Sequence, residues 1–116
     1  TKALFGLTPP NPVVGELQHI HWAWGEVGYF PTYALGNLYS ASLFAAAKKQ
    51  VPGLEASIGR GDLLPLRDWL RAKIHREGYR LEAEDRIRAV TGAGLTDSDF
   101  IVYLREKYSA LYGVKL

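Results

Sequence analysis

The chain has no cysteine, which excludes both a disulfide framework and a thiolate metal site. It also has no methionine, and together with frequent Arg this gives a mildly thermophile-like composition. Charge of one sign is scarce in excess: 14 basic against 12 acidic residues leave a net charge of +2. These charges are interspersed, whereas an electrostatic nucleic-acid footprint needs a clustered basic face, so no nucleic-acid partner is expected. The Arg-rich stretch from Arg67 to Arg88 also carries Asp68, Glu77, Glu82, Glu84 and Asp85, and reads as mixed-sign helix surface. Thr1–Asn11 lacks the basic-then-apolar order of a signal peptide, and a cytoplasmic location is the expectation.

Another absence is internal. From Val27 to Ala47 there is no charged residue at all. The length suits a membrane span, but Pro31, Thr32, Asn37, Ser40, Ser42 and two glycines lower its hydrophobicity, and no membrane is expected. A helix buried on all sides is the simpler reading. A chain of 116 residues can hardly surround such a helix alone. The expected partner is therefore the rest of a longer parent chain or a second copy in a homo-oligomer.

What is present reads as all-α, with about five helices and no sheet. Asn11 and Pro12 stand as N-cap and first helical residue of a helix from about Pro12 to Trp22 or Trp24, ending at Gly25. A turn over Gly25–Gly28 leads to Pro31, which starts a second helix to about Gln50, before Pro52-Gly53. Gly59–Asp62 is a loop without a phosphate-binding pattern. Asp62 caps a third helix, about Leu63–Arg76, whose stripe is Leu66, Trp69, Leu70 and Ile74. A fourth covers about Glu82–Thr91. Thr96 with Asp99 suggests a capping box for the last, about Asp97–Tyr112.

Residues 15–36 concentrate two His, two Trp, two Tyr and four Gly, a density that suggests backbone bent closely around a site. On a helix His19 and His21 would point about 200° apart and could not share one ion, whereas on a strand they could. His75 sits among Arg and Glu and reads as plain surface.

Gly15, Gln18, His21 and Trp22, followed by Gly28, Tyr29, Phe30, Pro31, Tyr33, Leu35 and Gly36, resemble the C-terminal segment of the carboxypeptidase Taq family of zinc peptidases. That family carries Gly-x-x-Gln-Asp-x-His-Trp and then Gly-Tyr-Phe-Pro-x-Tyr-x-Leu-Gly. Two positions depart from it: His19 stands where Asp is usual, and Ser42 where Gln is expected. Further matches (Trp69-Leu70, Ile74-His75, Thr91-Gly92, Tyr103-Leu104) spread the resemblance over the whole chain.

The resemblance implies a C-terminal helical portion, residues 1–116, of a metallocarboxypeptidase catalytic domain that removes C-terminal amino acids from peptide substrates. The family holds zinc on a His-Glu-x-x-His helix with a downstream Glu, and this chain has no such motif. Zinc is thus expected in the parent protein, with ligands outside this chain, and the segment alone is expected to be inactive. By position, the resemblance makes His21 a donor to the reaction's oxyanion. Tyr29 and Tyr33 are the two candidates for the second donor, with Tyr29 favoured for that role and Tyr33 for substrate contact. Gln18, three residues before His21, would share its helix face and bind substrate backbone. A free-standing helical dimerisation module without catalysis is the alternative.

Overall fold

The computed structural model describes residues Lys2–Leu116, leaving out the side chains of Leu4, Phe5 and Glu16. Every regular element among the described residues is helical, as the capping and periodicity predict. The chain divides into two compact units, one ending at Ala34 and one comprising Leu35–Leu116.

The first unit holds a single-turn helix α1 (Lys2–Phe5), two 3₁₀ turns (Pro12–Val14 and Glu16–Gln18) and a one-turn helix α2 (Ile20–Ala23). This corrects the expected continuous helix from Pro12 to Trp22. Asn11 does cap, its Oδ1 accepting from the Val14 N–H at 3.2 Å, but the chain breaks at Gly15 and again at His19. A Cβ at Gly15 would lie 3.1 Å from both Pro9 Cβ and Cγ. The backbone there follows its packing on Pro9 and not a helical path. His19 is extended, with φ −87° and ψ 95°.

The second unit is built on α3 (Pro31–Gln50), which begins in the first, followed by α4 (Leu54–Gly59), α5 (Leu64–Leu70), α6 (Ala83–Thr91) and α7 (Ser98–Tyr112). Helix α5 runs on without a break into a wider π turn, Arg71–His75, so the two together match the expected third helix. Asp62 Oδ1 accepts from the Leu64 N–H at 3.1 Å, the anticipated cap. The capping box at Thr96 does not form; the Thr96 hydroxyl bonds the Ser98 hydroxyl instead, at 2.7 Å. His75 is exposed, as expected.

Ala46, Ala47, Leu54, Trp69 and Val90 form the core, with Leu43, Val51, Ile58, Leu66, Leu70 and Ile74 packed against it. Leu54 (2 % exposed) and Ile87 (1 %) are its largest fully buried side chains, each worth about 1.5–3 kcal/mol of transfer free energy. Helix α4 presents Leu54 and was not anticipated from sequence. One polar relay runs along the edge of this core, through the exposed residue Gln50. Trp69 Nε1 donates to Gln50 Oε1 at 3.0 Å, and Gln50 Nε2 donates to the Val90 carbonyl at 3.0 Å. Helix α3 is not buried on all sides: its buried residues are Ser42, Ala46 and Ala47. No helix among the described residues is long and apolar enough to cross a membrane.

Replacing Gln50 with Ala strands the buried indole N–H of Trp69 and one carbonyl of α6. The expected loss is about 1–3 kcal/mol of unfolding free energy, measured by urea denaturation of the chain. A loss below about 0.5 kcal/mol would show that water takes over both bonds.

Candidate functional site

The site grows out of backbone bent twice. After α2, the Trp24 N–H bonds the Ile20 and His21 carbonyls, and the Glu26 N–H reaches back to the His21 carbonyl at 2.9 Å. Gly28 then takes φ 80°, in the left-handed region that side chains avoid. Its turn delivers Tyr29 and Phe30 just ahead of Pro31, the first residue of α3. The Thr32 hydroxyl donates to the Tyr29 carbonyl at 2.6 Å and pins this entry.

These bends gather the aromatic and imidazole rings. His21 Nε2 lies 3.0 Å from the Tyr33 hydroxyl, a hydrogen bond whose direction follows the imidazole tautomer. The Tyr29 ring stacks on His21 with centroids 5.4 Å apart and planes inclined by 22°. Tyr29 and Tyr33 meet edge to face at 5.5 Å. The cluster faces solvent: Tyr29 is 44 % exposed and Tyr33 53 %. Trp22 and Trp24 of the same segment are more exposed still.

Two expectations need correction. Gln18 and His21 are not three residues apart on one helix, because the extended His19 lies between a 3₁₀ turn and α2. The Gln18 amide instead donates to the Val13 carbonyl at 2.6 Å. For the same reason His19 and His21 do not point apart; their ring centroids are 5.1 Å from each other. His19 also packs on Phe30 at 4.3 Å, and its Nδ1 is shut off from solvent with no hydrogen-bond partner among the described residues. Sequence reasoning missed both His19 and Phe30 as members of the cluster. The signal available was Gly15, which argues against a helix running through to His19.

Among the described residues, no group of three or more His, Cys, Asp and Glu side chains is arranged to hold a metal ion. What the cluster offers is hydrogen-bond donors: an imidazole and two phenols, held by stacking at a solvent-facing edge.

Residues 1–108 match the family described as carboxypeptidase Taq (M32) metallopeptidase. The chain belongs to this family. It is 44% identical over 108 residues to thermostable carboxypeptidase 1 of Thermus thermophilus, covering 93% of this chain and 21% of that protein. It is 42% identical over 107 residues to carboxypeptidase 1 of Bacillus subtilis, covering 92% of this chain and 21% of that one. The crystal structure of the M32 carboxypeptidase from Deinococcus radiodurans R1 superposes with a TM-score of 0.90 at 42% identity, over 97% of this chain and 23% of that one. This M32 chain therefore spans about a fifth of the length of the relatives it matches.

Two of the segment's four glycines, Gly28 and Gly36, should respond with opposite signs. Gly28→Ala forces a Cβ into the left-handed region and is expected to cost about 1–2 kcal/mol. Gly36 lies inside α3 with open space around its Cβ position, so Gly36→Ala should add about 0.5–1 kcal/mol. Chemical denaturation monitored by tryptophan fluorescence reads both changes; equal effects would contradict the turn geometry.

Proposed function

We propose that this chain is the part of a metal-dependent carboxypeptidase that supplies oxyanion-stabilising and substrate-binding groups, while the metal ligands lie outside it. The reaction is hydrolysis of the last peptide bond of a peptide substrate. The metal proposed for the full-length protein is zinc, whose contribution when bound is activation of water and polarisation of the carbonyl. The residues described here do not make a site for it, and no step below runs through it.

The observation that carries this reading is the convergence of His21, Tyr29 and Tyr33 within the segment that the family match covers. As water adds to the scissile carbonyl, its oxygen gains negative charge. A donor already aimed at that position binds the transition state more tightly than the ground state, and only such a difference raises turnover. His21 and Tyr29 fill this role. Stacking against each other limits the reorientation either ring needs. Tyr33 bonds His21 and thereby holds its ring, and its exposed hydroxyl edge contacts substrate. Gln18 spends its amide N–H on Val13, which leaves Oε1 to accept from a substrate backbone N–H.

The test is a chimera in which this chain replaces the matching segment of the Thermus thermophilus relative. Release of C-terminal amino acids from peptides is expected. His21→Ala and Tyr29→Phe should each lower turnover by about 10²–10³, with metal content unchanged and melting temperature little altered. Tyr33→Phe and Gln18→Ala should act mainly on KM. Wild-type turnover in both the His21 and Tyr29 variants would overturn the assignment. A drop in melting temperature without a drop in turnover would leave these residues a packing role only.

A further inference from the structure

Outside the aromatic cluster, the Leu35–Leu116 unit carries an open groove of about 630 Å³ between α3 and α7. Ala41 and Ala45 line it from α3 beside Phe44, and Phe100, Val102 and Tyr103 line it from α7. Ala41 and Ala45 are four residues apart and stand on one stripe of their helix. Small residues in such a stripe let a third helix approach closely, since interaxial distance is set by the side chains at the contact. Val102 is 51 % exposed and Phe44 37 %.

Three of the five charged side chains around the groove, Lys48, Glu55 and Lys107, are already engaged. Lys48 pairs with Glu55 at 3.5 Å and lies 5.7 Å from the Phe44 ring centroid. Lys107 donates to the Tyr103 hydroxyl at 3.1 Å and lies 5.4 Å from the centroid of that ring. What remains for an occupant is apolar surface with small polar groups, Asn37 and Ser40, along α3, and the carboxylates of Asp99 and Glu106 on α7. An open channel along two helices suits a third helix better than a small ligand, which needs most of its surface enclosed.

We infer that this groove receives an apolar helical face from the part of the polypeptide that the relatives have and this chain does not. The choice of occupant rests on three observations. The chain covers about a fifth of each relative. It keeps the fold of the corresponding part of a full-length M32 carboxypeptidase at a TM-score of 0.90. And the α3 side of the groove belongs to the charge-free run Val27–Ala47, a composition that suits burial. The inference rests on the functional reading only in taking this chain to be part of a longer protein, and not on any residue of the aromatic cluster.

Because the chain has no cysteine, thiol labelling tests this directly. Val102→Cys, Ala45→Cys and, as an exposed control, Arg60→Cys are placed singly in the chimera, in an otherwise cysteine-free background. A maleimide reagent should label the two groove positions at least tenfold more slowly than position 60, independent of protein concentration. Labelling as fast as the control overturns the inference. So does protection that vanishes on dilution as a dimer dissociates, which assigns the groove to a second copy. A chimera that stays insoluble with its native segment also overturns it, because the groove then does not accept the relative's chain. A protected groove in a chimera without peptidase activity would count against the proposed function alone.

Discussion

The amide of Gln50 fixes the geometry on which the larger unit depends. Standing at the last residue of α3, it accepts from the Trp69 indole on α5 and donates to the Val90 carbonyl on α6. Few large side chains are fully buried here, so non-directional burial alone leaves the mutual register of the helices weakly specified. The amide supplies direction. It joins three helices through one side chain, and each of its bonds satisfies a polar group that burial would otherwise make costly. Ala46 and Ala47 beside it are small enough for Trp69 to close over α3. Helix α7 stands apart from this arrangement: it buries none of its own residues.

The aromatic cluster is organised by a different constraint, backbone reversal. The rings of His21, Tyr29 and Tyr33 meet because the chain folds back between residues 21 and 33, where Gly25 and Gly28 carry no Cβ to oppose their φ of 78° and 80°. The consequence for chemistry is orientation. Stacking and one 3.0 Å hydrogen bond limit how the imidazole and phenol rings can turn, while the cluster edge stays open to solvent.

The long elements were legible because punctuation and periodicity agree in them. Pro31 and Pro52-Gly53 bracket α3, and Gly92 and Gly113 close α6 and α7, so their limits fall within a residue of the reading from sequence. Helix α4 was not legible, since six residues with large apolar side chains only at Leu54 and Ile58 give no measurable period. The run from Pro12 misled for a largely tertiary reason: Gly15 packs on Pro9 and His19 turns extended, and beyond the low helix propensity of Gly15 the sequence carries no local trace of either. At the site, His21, Tyr29 and Tyr33 were readable from their spacing and the family resemblance. His19 and Phe30 were hidden by the assumption of an unbroken helix, whose failure reverses the directions of both histidines.

The charge-free stretch Val27–Ala47 joins these arguments. Sequence alone points to a helix enclosed on every side, yet α3 buries only Ser42, Ala46 and Ala47. The mismatch is physical information, because exposed apolar area costs on the order of 25 cal/mol per Å². A helix shaped only for this unit would carry charges where α3 has Leu35 and Phe44, both exposed. Lys and Glu appear instead only where α3 ends and α4 begins, at Lys48, Lys49 and Glu55. Composition along α3 is thus more apolar than the exposure this unit gives it requires.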